Sequence, residues 1–319
     1  MDTHYYLRLQ AAQGVGAATQ RAILSYLSLN NLHLEEFFNS PHPLWKQAGL
    51  SQKQIDALST HSPLLQQWQG KLEQKGFQVL GYLDNRYPER LKTVLGNQVP
   101  PVLYAWGNLD LLTQPSVGFC GSRDTSEKGV AVAENTAKQI AERGWAVVSG
   151  HARGIDYTAH TTALRNNGST IIVLPEGFLN FRLRDELRNL VNKTNTLIIS
   201  EFQPNAAWSV ANAMTRNRTI CGLSDALIVV QAGTSGGTFE AGKFALGVKV
   251  PLFVADYADP NLNGPGNPYL IQKGAKAIKK DTQTGLAALD DLIYEVSGHY
   301  KNLDKPKTVQ QRLYPLEAF

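Results

Sequence analysis

The chain is poor in sulfur: its 319 residues include two cysteines and two methionines. Cys120 and Cys221 have neither metal-ligand spacing nor a disulfide framework, so both are expected as buried free thiols in a reducing cytoplasm. No apolar run is long enough to span a bilayer, and the opening MDTHYYLRLQ lacks a signal-peptide core, so no membrane association is expected. The dinucleotide fingerprint G-x-G-x-x-G and the Walker A sequence are both missing. No Ser–His–Asp order, His-rich cluster or paired carboxylates stand out, so no catalytic residue, metal or cofactor is assigned. Charge of one sign is also scarce: 31 basic against 27 acidic residues leave +4. Affinity for a polyanion must therefore come from a local cluster of cations rather than from the global field. Hydrophobic residues make up 43%, enough for a sizeable core and against wholesale disorder.

What is present is organised around residues 117–163. Val117–Cys120 reads as a strand that stops at Gly121-Ser122-Arg123. Val130, Ala133, Ala137, Ile140 and Ala141 recur at helical spacing, and Gly144 suits the helix C-terminus. Trp145–Val148 is a second strand, ending in Ser149-Gly150, and a helix from about Ile155 carries Asp156 in its first turn. Two strand ends thus open side by side into helix N-termini, where free amides suit an anion. Arg123 and Arg153 are the nearby cations that would select a phosphate.

Further apolar runs follow at Thr170–Leu174, Thr196–Ser200, Ala226–Val230 and Val250–Val254, with helical segments between them. Strands alternating with helices predict an α/β protein with a doubly wound, mainly parallel sheet whose ligand edge is the carboxyl end of the strands. Residues 1–75 read as a separate small helical domain, in which Gly14-Val15-Gly16 has the pattern of a helix-hairpin-helix. Ser40-Pro41-His42-Pro43 and His61-Ser62-Pro63 are expected breakers there. Leu64–Gly76 is expected as a connecting helix, Phe77–Tyr82 as a strand, and Pro100–Asn108 as an extended piece on the sheet. Residues 76–298 form the main domain, closing on a helix expected over 282–298, and residues 299–319 read as a tail.

Two later stretches join the candidate site. Arg216-Asn217-Arg218 precedes the fifth run; two arginines flanking an amide can clamp successive phosphates, and their spacing on a helix turns at least one of them inward. The stretch Gly233 to Glu240 is the richest in small residues: Ser235, Gly236, Gly237 and Thr238 open a helix, with Glu240 in its first turn. Glu240 either offsets the helix dipole or acts on a ribose. Asp156 and His160, four apart, share a helix face; such a pair is more often a structural contact than an acid–base couple.

Taken together and in order, YPERL, VPPVLYAWGNLDLL, GSR, VVSGHARGIDYTAHTTAL, TIIVLPEG, LIISEF and RNRTICGLSDALIVVQAGTSGGT resemble the DNA-processing protein A (Smf) family, bacterial recombination mediators of natural transformation. The resemblance spans roughly residues 80–280. It implies a Rossmann-like, non-catalytic domain that binds single-stranded DNA, forms a homodimer and loads the RecA recombinase. On that pattern Gly121, Arg123, Arg153, Gly154, Asp156, Arg216, Arg218, Ser235 and Gly236 line a basic pocket that takes phosphates and a base, with Phe178, Phe181 and Trp208 as candidates for base stacking. The sequence departs from the family at PEGFLNFRLRDE, where members usually carry Cys-Gly and then Tyr-Pro. Its GTSGGTFEAG loop is closer to the GGxGTxxE element of nucleoside-monophosphate phosphoribohydrolases, which keeps a nucleotide sensor or N-glycosidase as the alternative. A C-terminal winged helix is not expected in so short a tail.

Overall fold

The computed structural model describes residues 3–39, 43–60, 62–259 and 264–301; the expected breakers at 40–42 and 61, and the tail from 302, lie outside the described residues. Helices come first: α1 (Thr3–Ala11), α2 (Ala17–Leu29), α3 (Leu34–Asn39), α4 (Pro43–Gln47), α5 (Gln52–Ser59) and α6 (Pro63–Lys75). Their apolar faces, including Leu7, Ile23, Leu27, Phe37, Trp45 and Trp68, form one cluster that closes over Val79, Val102, Tyr104 and Phe178. Polar ties fasten this layer to the sheet. The Tyr6 hydroxyl accepts from the Leu83 amide at 3.1 Å, and the Gln203 side-chain amide donates to the Gln10 carbonyl at 2.7 Å.

The sheet is made of β1 (Gln78–Gly81), β2 (Val102–Gly107), β3 (Ser116–Cys120), β4 (Ala146–Ser149), β5 (Ser169–Leu174), β6 (Thr196–Ser200), β7 (Ala226–Val229), β8 (Leu252–Ala255) and β9 (Lys276–Ile278). Their order is β1-β2-β6-β5-β4-β3-β7-β8-β9. β1 pairs with β2, and β2 with β6, antiparallel; the other pairings are parallel. The connecting helices are α7 (Glu89–Leu95), α8 (Glu127–Glu142), α9 (Ile155–Arg165), α10 (Asp185–Arg188), α11 (Val210–Leu223), α12 (Gly237–Gly247), α13 (Asn267–Gln272) and α14 (Asp290–Lys301).

The parallel strands read as unbroken apolar runs because both faces are covered; β3, β4, β6 and β7 are buried throughout. α8 follows the expected spacing, burying Ala133, Ala137, Ile140 and Ala141, and Ser126 caps it by accepting from the Gly129 amide at 3.1 Å. The YPERL segment has a structural task. Arg90 pairs with buried Asp225 at 2.6 Å, and Asp225 also accepts from the Ser116 amide at 2.9 Å, fixing the start of β3 against β7.

The last helix begins later than the spacing predicts. Asp281 accepts from the Gln283 and Thr284 amides at 2.9 and 2.7 Å, and this local turn competes with helix until Asp290. From β3 the chain lays β4, β5 and β6 toward one edge. It then crosses back along α11 to place β7, β8 and β9 on the other side of β3.

Candidate functional site

A cleft of about 360 Å³ opens over the carboxyl ends of β3 to β6. Each strand end contributes: Arg123 after β3, His151, Ala152 and Arg153 after β4, Pro175, Glu176 and Arg184 after β5, and Trp208 after β6; Arg216 reaches in from α11. Four guanidinium groups therefore face a single carboxylate among the lining residues.

The two β3 and β4 turns are built against each other. Gly154 has φ +73°, and a Cβ there would strike the Ser122 and Arg123 carbonyls, so only glycine allows this approach. The Ile155 amide then donates to the Ser122 carbonyl at 3.2 Å. Gly150 lies directly under Arg216: a methyl group on it would overlap the guanidinium and crowd the Asp156 carboxylate. These turns are tight because a charged side chain is seated on them.

Arg216 is 4% exposed and Asp156 6%. Asp156 accepts from Arg216 Nη1 at 3.4 Å and from the Ala152 amide at 3.3 Å. One long contact leaves most of a five-donor fork unserved, and Arg216 Nε is buried with no hydrogen-bond partner. Burying a guanidinium costs several kcal/mol unless it is paired and hydrogen-bonded, so this group has donors left that an anion can satisfy. Arg184 Nε is likewise buried and unpartnered. Arg153 meets Asp124 at 3.4 Å, but both side chains are largely exposed, and such a pair is worth little. Arg123 lies over the ring of Trp208 at 5.6 Å, and that ring is 49% exposed.

His160 is not an acid–base partner of Asp156. It is fully buried, with Nδ1 2.6 Å from Thr170 Oγ1 and Nε2 2.6 Å from the Gly150 carbonyl. Burial pushes its pKa down, so the ring is neutral and anchors the Gly150 turn from below. Burial likewise pushes His151 down to about 4, with His160, Arg184 and Arg216 adding to the effect.

Several expected residues lie elsewhere. Phe178 is not free to stack on a ligand: it is fully buried between Phe77 and Tyr104, at 4.9 and 5.5 Å, because it seals the helical layer onto the sheet. Phe181 packs edge-on against His151 at 5.1 Å and supports it. Arg216 and Arg218 do not form one clamp. Two positions along α11 separate them by more than half a turn, so Arg218 points to Gln98 and over the Phe244 ring. Asn217 donates to the Gly237 carbonyl at 3.2 Å. Ser235, Gly236, Gly237, Thr238 and Glu240 sit beyond β7, outside the cleft lining, and Glu240 pairs with Lys243 at 2.9 Å.

His151, Glu176 and Arg184 were not singled out in the sequence. Their signal was position: His151 and Glu176 each fall within two residues of the carboxyl end of a parallel strand. Among the described residues, no group of three or more His, Cys, Asp or Glu is arranged to hold a metal, and no helix is long and apolar enough to cross a membrane.

A family model described as DNA recombination-mediator protein A matches residues 78–288, which carry every strand of the sheet. The chain belongs to this family. It is 32% identical over 214 residues to the DNA processing protein DprA of Bacillus subtilis, covering 64% of this chain and 69% of that protein. It is 30% identical over 288 residues to the protein Smf of Synechocystis, covering 88% and 71%. Among solved structures, DNA processing protein A of Streptococcus pneumoniae superposes with a TM-score of 0.73 at 27% identity, over 86% of this chain and 94% of that one. The Helicobacter pylori DNA processing protein A, described for its single-stranded DNA binding mode, shares the fold with a TM-score of 0.56 at 24% identity, over 71% and 96%.

Proposed function

We propose that this recombination-mediator family member binds single-stranded DNA in the cleft over β3 to β6. The observation that carries the reading is Arg216: a buried guanidinium with an unpartnered Nε, seated on Gly150, in a cleft where four arginines face one carboxylate. Arg216, Arg184, Arg153 and Arg123 take successive phosphates, the amides of the Gly121-Ser122 and Gly150–Gly154 turns add donors, and Trp208 stacks on a base. Asp156 acts by seating Arg216 and the Ala152 amide rather than by contacting the strand itself. The single-stranded DNA binding mode described for the H. pylori relative supports the ligand, and family membership supports the wider setting: a cytoplasmic homodimer that delivers its strand to RecA recombinase in natural transformation. The glycosidase alternative is not favoured, because Glu240 is paired with Lys243 and stands outside the cleft.

The test is a fluorescence-anisotropy titration of labelled single strand, duplex and mononucleotide at several salt concentrations. Single strands are expected to bind most tightly. Three to four phosphate contacts give a slope of log affinity against log salt of about −2 to −3. No binding of single strands at low salt, or equal binding of duplex, rejects the reading. Light scattering tests the dimer, and co-sedimentation with RecA on coated strands tests the loading.

A further inference from the structure

A groove meant only for phosphates has no use for a carboxylate, since like charge repels the backbone. Yet Glu176 lines the cleft among the four arginines and makes no ion pair among the described residues. Burial raises its pKa and Arg216 pulls it back, so it sits within the field of that guanidinium. His151 lines the same cleft, held edge-on by Phe181 at 5.1 Å, with Nε2 buried and lacking a hydrogen-bond partner. Burial, with His160, Arg184 and Arg216 adding to it, keeps this imidazole neutral, so it carries one N–H rather than two. At about 360 Å³, the cleft falls within the roughly 300–1,000 Å³ that accommodates a ligand larger than a bare phosphate.

The Watson–Crick edges of the four bases differ in what they offer such a pair. Thymine presents one N–H between two carbonyls, which a carboxylate meets poorly. Adenine and cytosine each present one amino group beside a ring-nitrogen acceptor. Guanine presents two adjacent donors, N1–H and the N2 amino group, and next to them the O6 acceptor. A carboxylate takes the two donors together, and a neutral imidazole with its proton on Nε2 serves O6. In a single strand this edge is free to be read while an aromatic side chain covers the base face.

We propose that Glu176 and His151 make the cleft a guanine-reading pocket, with Trp208 stacking on the base and the arginines holding its phosphates. The proposal rests on the single-strand reading for its setting, while its chemistry also fits a free guanine nucleotide, and the experiment separates the two. Oligo-thymidine is compared with the same oligonucleotide carrying one central guanine, adenine or cytosine, using the full chain, its Glu176→Gln variant, and His151→Gln beside His151→Ala. Calorimetric titrations with dGMP, dAMP, dCMP and dTMP run in parallel.

The guanine-containing strand is expected to bind roughly tenfold more tightly than oligo-thymidine, at the low end of what a two-pronged base contact gives. Glu176→Gln abolishes that ratio while binding oligo-thymidine at least as well and keeping an unchanged melting temperature. His151→Gln, which retains a donor, keeps part of the preference and His151→Ala loses it. If no strand binds but dGMP binds in preference to the other mononucleotides, the guanine assignment holds and the single-strand reading is what fails. Equal binding of all strands and all mononucleotides overturns the proposal. So does a Glu176→Gln variant that gains affinity for every probe alike, since Glu176 would then act only as a repelling charge.

Discussion

The two halves of the sheet's carboxyl edge look alike in sequence and differ in structure. On both sides of β3 an apolar strand ends in small residues and opens into a helix. Over β3 to β6 the turns are crowded: Gly154 abuts the Ser122 and Arg123 carbonyls, and Gly150 is covered by Arg216. Beyond β7, a Cβ on Gly236 would meet open space. The polar groups differ in the same sense. Near β7, the Gln231 side-chain oxygen Oε1 is already satisfied, accepting from Thr125 Oγ1 at 2.8 Å and the Ser126 amide at 3.0 Å. In the cleft, Arg216, Arg184 and His151 keep buried nitrogens without partners. A small-residue turn at a helix N-terminus can simply start a helix. It becomes a site when its missing side chains make room for charged ones from other elements.

The sharpest way to break this contrast is Arg216→Ala. It strands Asp156 as a buried charge, so urea unfolding should show a loss of about 3 kcal/mol, and single-strand affinity should fall by more than about 100-fold. Unchanged values would mean that the cleft half is as inert as the other. Gly150→Ala tests the crowding itself. The added methyl displaces the guanidinium, with an expected destabilisation of about 2 kcal/mol, whereas Gly236→Ala meets no neighbour and shows only the strain of φ +94°.

A pH titration sharpens the comparison, because the cleft half alone holds Glu201. This carboxyl accepts from Thr219 Oγ1 at 2.6 Å, and burial lifts it to about 7, with that hydrogen bond and Arg216 and Arg218 opposing. The fold therefore favours the protonated form. Its contribution is fully present below the ordinary value of 4.5 and is lost as pH rises through 7. Unfolding free energy should fall by on the order of 2 kcal/mol across that window, and Glu201→Gln should flatten the curve.

Smaller effects are expected at the rim. Arg123→Ala should cost roughly tenfold in single-strand affinity and flatten the salt slope by about 0.7, with stability unchanged within about 0.5 kcal/mol. Smallest of all, Glu240→Gln should alter affinity by less than about twofold, since it removes only a half-exposed pair with Lys243. A loss there equal to that of Arg123→Ala would erase the distinction between the halves.

Much of this molecule was legible because apolar runs and breakers have local causes. Residues 117–120, 170–174 and 196–200 became strands where the pattern placed them, and Gly144, at φ +71°, follows α8 where a left-handed residue is expected. Arg216 was readable as one of a pair of which at least one had to face inward, but which of the two did so was not. The short β9 was missed because three residues carry no period of their own. Phe178 read as a candidate for base stacking because nothing local reveals that Phe77 and Tyr104, roughly 75 to 100 positions earlier, close around it. Glu176 was not singled out, since its neighbours in sequence say nothing of the arginines across the cleft.

The sequence by itself determined the alternation of strand and helix, the edge on which ligands are met, and the family, because periodicity, turn chemistry and ordered motifs are written along the chain. The tertiary structure alone decided which of two similar glycine-rich turns gathers buried, unpartnered cations. That choice depends on charges brought from α11 and from the ends of β4 and β5 onto one small volume, where their burial leaves them short of partners.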